Sequence, residues 1–427
     1  MSRRRMRAVA AVLVAVGVVL VGGGGGRPAD AVPPAGACQN PEPAHGQIRA
    51  QPWAQQVLDP ERAWPRSRGG GVLVAVVDSG VDADHPQLRR AGKVLRGRDF
   101  YFAGTLPGSY DCVSHGTGIA GIIAADPVPG IGFHGVAPDA RILPVRITDR
   151  DISEQGQSLR IDPQVVANGI RYAADQGAKV INLSLAGFDD FPAIRGAVAY
   201  AVARDALVVA AAGNAQPDGS TELPSYPAAY DGVLGVGAVD ADGAPLPGSQ
   251  IGPYVDLVAP GAKVLAATRV DGHAYVDGTS FAAAFVAGTA ALVRAAWPGL
   301  TAAEVARRLT ATASPARGGL DSDAYGAGLV DPYRAVTDGL DPDQPAARPA
   351  LVPSPPDRAR LERAAWARGT ASTATWLALA AAGAIALVAA ILPRGRRRRW
   401  RAGWTPAVPA EPAPADPPEQ IFLLSER

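Results

Sequence analysis

The sequence predicts a doubly wound α/β domain on a mainly parallel central sheet, followed by one C-terminal transmembrane helix. Three observations carry this reading. Near-continuous apolar runs rich in Val, Ile and Ala recur between residues 72 and 239, as strands buried on both faces require. Helix-patterned stretches separate them, which is the alternation of a parallel sheet with its crossover helices. A charge-free apolar segment near the C-terminus is followed at once by arginines.

The chain has 427 residues, 48% of them hydrophobic, and a net charge of +1, so it can build a sizeable core and has no general attraction to nucleic acid. It opens with MSRRRMR, continues with AVAAVLVAVGVVLVGG and reaches a small-x-small site at Ala29–Ala31. A basic head, a short apolar run and such a site predict a secretory signal peptide over residues 1–31, cut after Ala31; a retained N-terminal anchor is the competing reading. Residues 32–68 are rich in Pro, Gln and Arg, with Trp53 and Trp64 as isolated anchors, and read as an N-terminal extension lying on a domain.

The domain itself spans residues 69–340. Strands are expected at Val72–Asp78, Ile142–Ile147, Lys179–Leu185, Ala206–Gly213 and Gly232–Val239, and helices at Pro163–Gln176, Ile194–Arg204 and Ser280–Ala296. Residues 341–370 begin DPDQPAARPALVPSPPD, a Pro-rich linker with too little apolar content to pack. Residues 371–393, ASTATWLALAAAGAIALVAAILP, are long enough to cross a bilayer core of about 30 Å. The RGRRRRWR that follows holds its side of the span in the cytoplasm. Its position against an apolar span argues against a nucleic-acid patch. The expected topology is a single pass in the cell membrane, with the domain extracytoplasmic and residues 394–427 a basic cytoplasmic tail.

The two cysteines, Cys38 and Cys112, fit an exported chain, where an even count favours a disulfide. A lipidated Cys38 would sit too far beyond the apolar run. Cys112 as a thiol nucleophile near His115 is disfavoured because an exported thiol with a partner usually oxidises.

In an open parallel sheet, chemistry collects at the carboxyl ends of the strands. Asp78 closes the run VLVAVVD; it is either an acceptor for loop N–H groups or the carboxylate that orients a histidine. His115, in SHGTGIAGIIAA, opens a stretch of small and apolar residues that reads as a buried helix. Ser280, in VDGTSFAAAFVAG, is either the cap of the following helix or a nucleophile at its start. His45, His85, His134 and His273 lie in loop-like surroundings and read as structural.

The blocks VAVVDSGV, HGTGIAG and GTSFAAAFVAG resemble the signature blocks of subtilisin-like serine proteases and occur in that family's order, Asp, His, Ser. VVAAAGN, ending at Asn214, resembles the block that carries the oxyanion asparagine, and INLSLAG resembles the edge segment that pairs with an extended peptide. The resemblance implies a subtilisin-like fold, a triad of Asp78, His115 and Ser280, an oxyanion hole including Asn214, and substrate binding along Ser184, Leu185 and Ala186. It departs in having Ala186 where relatives often have Gly, and Ala284 and Phe285 where they commonly have Pro followed by His or an aromatic residue.

The whole arrangement, with a Cys-bearing extension, PWAQQVLDPERAW before the first strand, a linker, a span and a basic tail, is similar to the mycosins. These are membrane-anchored subtilisin-like proteases associated with type VII secretion in actinobacteria. The resemblance implies an attached extension, a Cys38–Cys112 pair, exported protein substrates and a secretion complex as partner. Serine protease chemistry needs no cofactor. No metal site is expected, because FDDF at Phe188–Phe191 and DSD at Asp321–Asp323 read as solvated turns. A structural subunit of a secretion assembly, with proteolysis secondary, is the alternative function.

Overall fold

The computed structural model describes residue 33 and residues 36–38, 40–102, 106–149, 161–216, 222–317, 322–340, 380–393 and 395. The expected signal peptide and linker, residues 371–379 of the expected span, and the tail apart from Gly395 lie outside the described residues.

Strands β1 (Leu73–Asp78), β2 (Arg98–Asp99), β3 (Arg141–Arg146), β4 (Val180–Leu183), β5 (Leu207–Ala211), β6 (Val233–Val239) and β7 (Leu257–Pro260) form one parallel sheet in the order β2-β3-β1-β4-β5-β6-β7. An antiparallel hairpin of β8 (Val264–Ala267) and β9 (His273–Val276) follows it in the chain. The helices are α1 (Trp53–Leu58), α2 (His115–Ala124), α3 (Pro163–Asp175), α4 (Pro192–Val202), α5 (Thr279–Ala296), α6 (Ala302–Ala311) and α7 (Pro332–Thr337).

Successive strand side chains point to opposite faces, so one apolar run serves two cores. Val74 and Val76 of β1 join α2 and α5 in one core, while Ala75 and Val77 join α3 and α4 in the other. α5 is apolar all round because it is the core helix of its face, buried from Thr279 to Arg294. α3 starts where Asp162 accepts the Gln164 N–H at 2.8 Å, with Pro163 pre-set for the first turn.

The extension is fastened by its tryptophans: Trp53 Nε1 donates to the Ala262 carbonyl at 3.0 Å and Trp64 Nε1 to that of Val136 at 3.0 Å. Cys38 and Cys112 form a disulfide with their Cα atoms 5.5 Å apart.

The structure differs from the sequence reading in several places. β4 stops at Leu183 and β5 at Ala211, so Ser184–Ala186 and Gly213–Asn214 lie just beyond the sheet. Gly213 adopts φ +101°, which ends strand pairing there. β2, β7 and the β8–β9 hairpin are too short to carry a period. α6 did carry a signal, Thr301-x-x-Glu304, and its reciprocal capping box forms.

Among the described residues, the helix long and apolar enough to cross a membrane is α5, which the core buries. In the C-terminal unit, residues 380–393 form a shorter apolar helix on which Ile385, Leu387, Val388, Ile391 and Leu392 are exposed.

Candidate active site

β1 ends at Asp78, whose carboxylate is fully buried. Its Oδ1 accepts the Ser79 N–H at 2.7 Å and lies 2.7 Å from Nδ1 of His115. With Nδ1–H donating to the carboxylate, Nε2 carries the lone pair and can take a proton. The ring is 1% exposed, so its orientation is held by protein rather than by solvent.

His115 is the first residue of α2, and that helix is capped in an unusual way. Ser114 occupies the cap position in the left-handed region, φ 64°, and makes no capping bond. The free N–H groups are met from elsewhere: Gly116 N–H donates to Ser79 Oγ at 3.0 Å and Thr117 N–H to Asp111 Oδ2 at 2.9 Å. Asp111 also accepts from the Thr117 hydroxyl at 2.7 Å, the Ser79 hydroxyl at 3.0 Å and the Val113 N–H at 3.1 Å. Burial pushes the Asp111 carboxyl above the usual range, and the bonds from Thr117 and Val113 pull it part of the way back. One buried acid thus caps the helix that begins with the histidine.

Ser280 is the second residue of α5, one past Thr279, with Gly278 at the cap position. The capping alternative therefore fails. Its hydroxyl instead donates to the Ser184 carbonyl at 3.2 Å, and Ser184 Oγ returns a bond to the Ser280 carbonyl at 3.1 Å. Asn182 Nδ2 holds Ser184 Oγ at 2.7 Å. The end of β4 and the start of α5 are therefore tied together. The ring of His115 packs against that of Phe281, centroids 5.2 Å apart, which sets the imidazole beside the first turn of α5.

Asn214 stands across the turn from Ser280. Its Oδ1 accepts both the N–H (2.9 Å) and the hydroxyl (3.0 Å) of Thr279, while the same hydroxyl accepts the Gly213 N–H at 3.1 Å. With Oδ1 occupied, Nδ2 is turned toward Gly278, where a Cβ would lie 3.3 Å away. Gly278 has φ +146°, so a side chain there would meet both strain and the amide. Ala186 faces this turn, its Cβ 3.2 Å from where one on Gly213 would stand.

Asp78, His115, Ser280, Asn214 and Ser184 thus converge on the carboxyl edge of the sheet. Sequence reasoning overlooked Ser79, Asp111, Thr117 and Thr279. Each is a small polar residue within or beside a motif block, and that proximity was the available signal. The remaining histidines have structural partners: Glu42 for His45 (2.8 Å), the Gly272 carbonyl for His85 (3.2 Å), Glu61 for His134 (2.7 Å) and Gln87 for His273 (2.7 Å).

The model of the subtilase family matches residues 69–328. Mycosin-4 of Mycobacterium tuberculosis is 37% identical over 341 residues, covering 70% of this chain and 73% of the relative. A structure described as the serine protease MycP1, an essential component of the type VII (ESX-1) secretion system, superposes with a TM-score of 0.60 at 34% identity, covering 70% of this chain and 92% of that one. A chain of an intact ESX-5 inner membrane complex gives 0.60 at 31% identity, covering 81% and 93%.

Proposed function

The chain belongs to the subtilase family and is a subtilisin-like serine protease of the mycosin type, and on that premise we propose that it is a membrane-anchored extracytoplasmic endopeptidase working through Asp78, His115 and Ser280. The observation that carries the reading is the buried 2.7 Å bond from His115 Nδ1 to Asp78, beside a helix whose second residue is Ser280. Asp78 holds the imidazole in the tautomer in which Nε2 is the proton acceptor and stabilises the imidazolium that forms. His115 takes the proton of Ser280 as Oγ attacks the peptide carbonyl. The carbonyl oxygen gains negative charge, which the Asn214 amide and the Ser280 backbone N–H stabilise. His115 then protonates the leaving amine, and water hydrolyses the acyl-enzyme by the same route. Ser184, Leu185 and Ala186 offer their backbone to an extended peptide.

The proposed organisation is a signal peptide (1–31), an attached extension (32–68), the protease domain (69–340), a linker (341–370), one span (371–393) and a cytoplasmic tail (394–427). The exposed apolar helix at residues 380–393 supports the span. Likeness to a chain of a secretion membrane complex supports exported proteins as substrates and such a complex as partner. The same likeness favours a second reading, in which the chain also serves that complex structurally.

A fluorophosphonate probe on the purified full-length chain tests the first reading: wild type labels and Ser280→Ala does not. Folded wild type that fails to label refutes it. Secretion lost equally in Ser280→Ala and in a deletion would remove the case for the structural role.

A further inference from the structure

We propose that Arg269 is a positioning residue for His115, clamping the loop that leads into α2 against the N-terminal extension. The inference rests on the triad reading above. Arg269 lies in the connection between β8 and β9, far in sequence from Asp78 and His115, and makes three bonds to two other segments. Its backbone N–H donates to Ser114 Oγ at 2.9 Å, its Nε to the Asp111 carbonyl at 3.0 Å, and its Nη1 to the Glu42 carbonyl of the extension. Glu42 N–H in turn donates to the Cys112 carbonyl at 2.9 Å, and the disulfide binds Cys112 to Cys38. Residues 111–114 are thereby held along their outer side by one guanidinium, one disulfide and one backbone bond.

Their inner side is the part that meets the chemistry. The Asp111 carboxylate caps α2, and Ser114 leads directly into His115. The Ser114 hydroxyl that could have capped the helix is engaged by Arg269 instead, which explains why Asp111 and Ser79 do the capping. Two residues beside this contact sit in the left-handed region, Ser114 at φ 64° and Val270 at φ 69°, and the second is β-branched, a type that rarely enters it. Val270 is retained there by a 2.7 Å bond from its N–H to Asp82, whose own N–H donates to the Thr117 hydroxyl of α2. Strain held on both sides of a contact is what a surrounding structure must over-determine; the main-chain N–H of Arg269 bonds Ser114 directly, and the guanidinium ties the same loop, at the Asp111 carbonyl, to the Glu42 carbonyl of the extension. Lysine could reach one of the two carbonyls but lacks the planar fork that reaches both.

The test uses the full-length chain and a fluorophosphonate probe, reading two quantities: the labelled fraction at saturation, which counts folded sites, and the second-order rate constant of labelling, which reports how well His115 activates Ser280. In Arg269→Ala the rate constant falls between about tenfold and a hundredfold, the range expected when a reacting group is displaced by a fraction of an ångström to about 1 Å. Arg269→Lys recovers part of it. A rate constant within twofold of wild type overturns the proposal, including the case where only the labelled fraction drops, since that is a purely structural loss. If Arg269→Ala does not fold, Arg269→Lys supplies the same reading against wild type. Failure of the underlying triad reading is separately visible, as wild type that does not label at all.

Discussion

Thr279 offers the sharpest test of how Asn214, the proposed oxyanion donor, is held. Its hydroxyl accepts the Gly213 N–H and donates to Asn214 Oδ1, so it fixes both the turn and the direction of the amide. Thr279→Val keeps the branched shape and the backbone bond from residue 279 to Asn214 Oδ1, and removes only the hydroxyl. Loss of Asn214 itself, by Asn214→Ala, should cost about 10²–10³ in kcat. Thr279→Val leaves the donor present but held by one bond instead of two. A net hydrogen bond is worth about 0.5–1.5 kcal/mol, and about 1.4 kcal/mol is tenfold in rate. The expected result is therefore a fall in kcat of about twofold to tenfold with KM unchanged, because in the proposed mechanism the amide acts on charge that develops only in the transition state. The assay is steady-state cleavage of a chromogenic peptide amide that wild type accepts, normalised to titrated active sites so that any instability from the exposed Gly213 N–H is removed. The decisive comparison is the double-mutant cycle. In an Asn214→Ala background, Thr279→Val should cost little more, since its partner is gone. The same cost in that background as in wild type would refute the argument that Thr279 acts through Asn214.

Acid sensitivity is expected from His273, whose Nδ1 accepts the Ile48 N–H of the extension at 3.2 Å while its Nε2 meets Gln87. Burial, followed by the neighbouring His85, lowers its pKa from 6.5 to about 4, against a smaller opposing pull from Asp271. The unfolded chain takes up a proton near pH 6.5 and the folded one only near 4. Stability from this group is thus complete above pH 6.5 and lost as pH falls toward 4, by up to about 3 kcal/mol. Denaturant unfolding at pH 7.5, 6 and 5 should show that slope, and His273→Gln should flatten it; an equal slope in the variant would assign the effect elsewhere. Breaking the disulfide with Cys112→Ser, which opens a loop of sequence separation 74, should lower stability by about 4 kcal/mol in thermal unfolding. Thr301→Ala removes the capping box of α6 and should cost about 1 kcal/mol with no change in the labelling rate, so a slower rate would show coupling between α6 and the site.

Much of this architecture was legible because long apolar runs have one use in a sheet buried on both faces. The strands around Asp78 and Asn182 and the helices α3, α4 and α5 fall within a few residues of where periodicity puts them. What escaped lies at scales shorter than the period. β2 has two residues and β9 four, and pairing in such pieces is decided by what folds beside them. The strand ends also escaped, because the apolar run continues through Leu185 and Ala212 after the ladder has stopped. At the site, the motif blocks pointed to Asp78, His115, Ser280 and Asn214, but not to what holds them. Asp111 could not be told from a solvated loop acid, because its partners Ser79 and Thr117 lie 32 and 6 residues away and only the fold joins them. Arg269 is the extreme case: its contact with Ser114 spans 155 residues and that with Glu42 spans 227.

Both helices that start at the site lack a side-chain cap from their own cap residue, and this has one physical explanation. At α2 the cap position holds Ser114, a favoured capping residue, yet its hydroxyl turns outward to Arg269; at α5 it holds Gly278, which has no side chain to give. Elsewhere α3, α6 and α7 are each capped by the local Asp or Thr, while α1 and α4 have Pro52 and Phe191 at the cap position and no side-chain cap. A cap from the adjacent residue would place an oxygen over the first turn, which at α5 is where the proposed mechanism puts the substrate carbonyl and at α2 is where Ser79 and Asp111 enter. Moving the capping oxygens to Ser79 and Asp111 keeps the positive helix end satisfied while linking it rigidly to the loop of Asp78. The cost at α2 is offset by a buried network that would be an expensive liability if any member were lost.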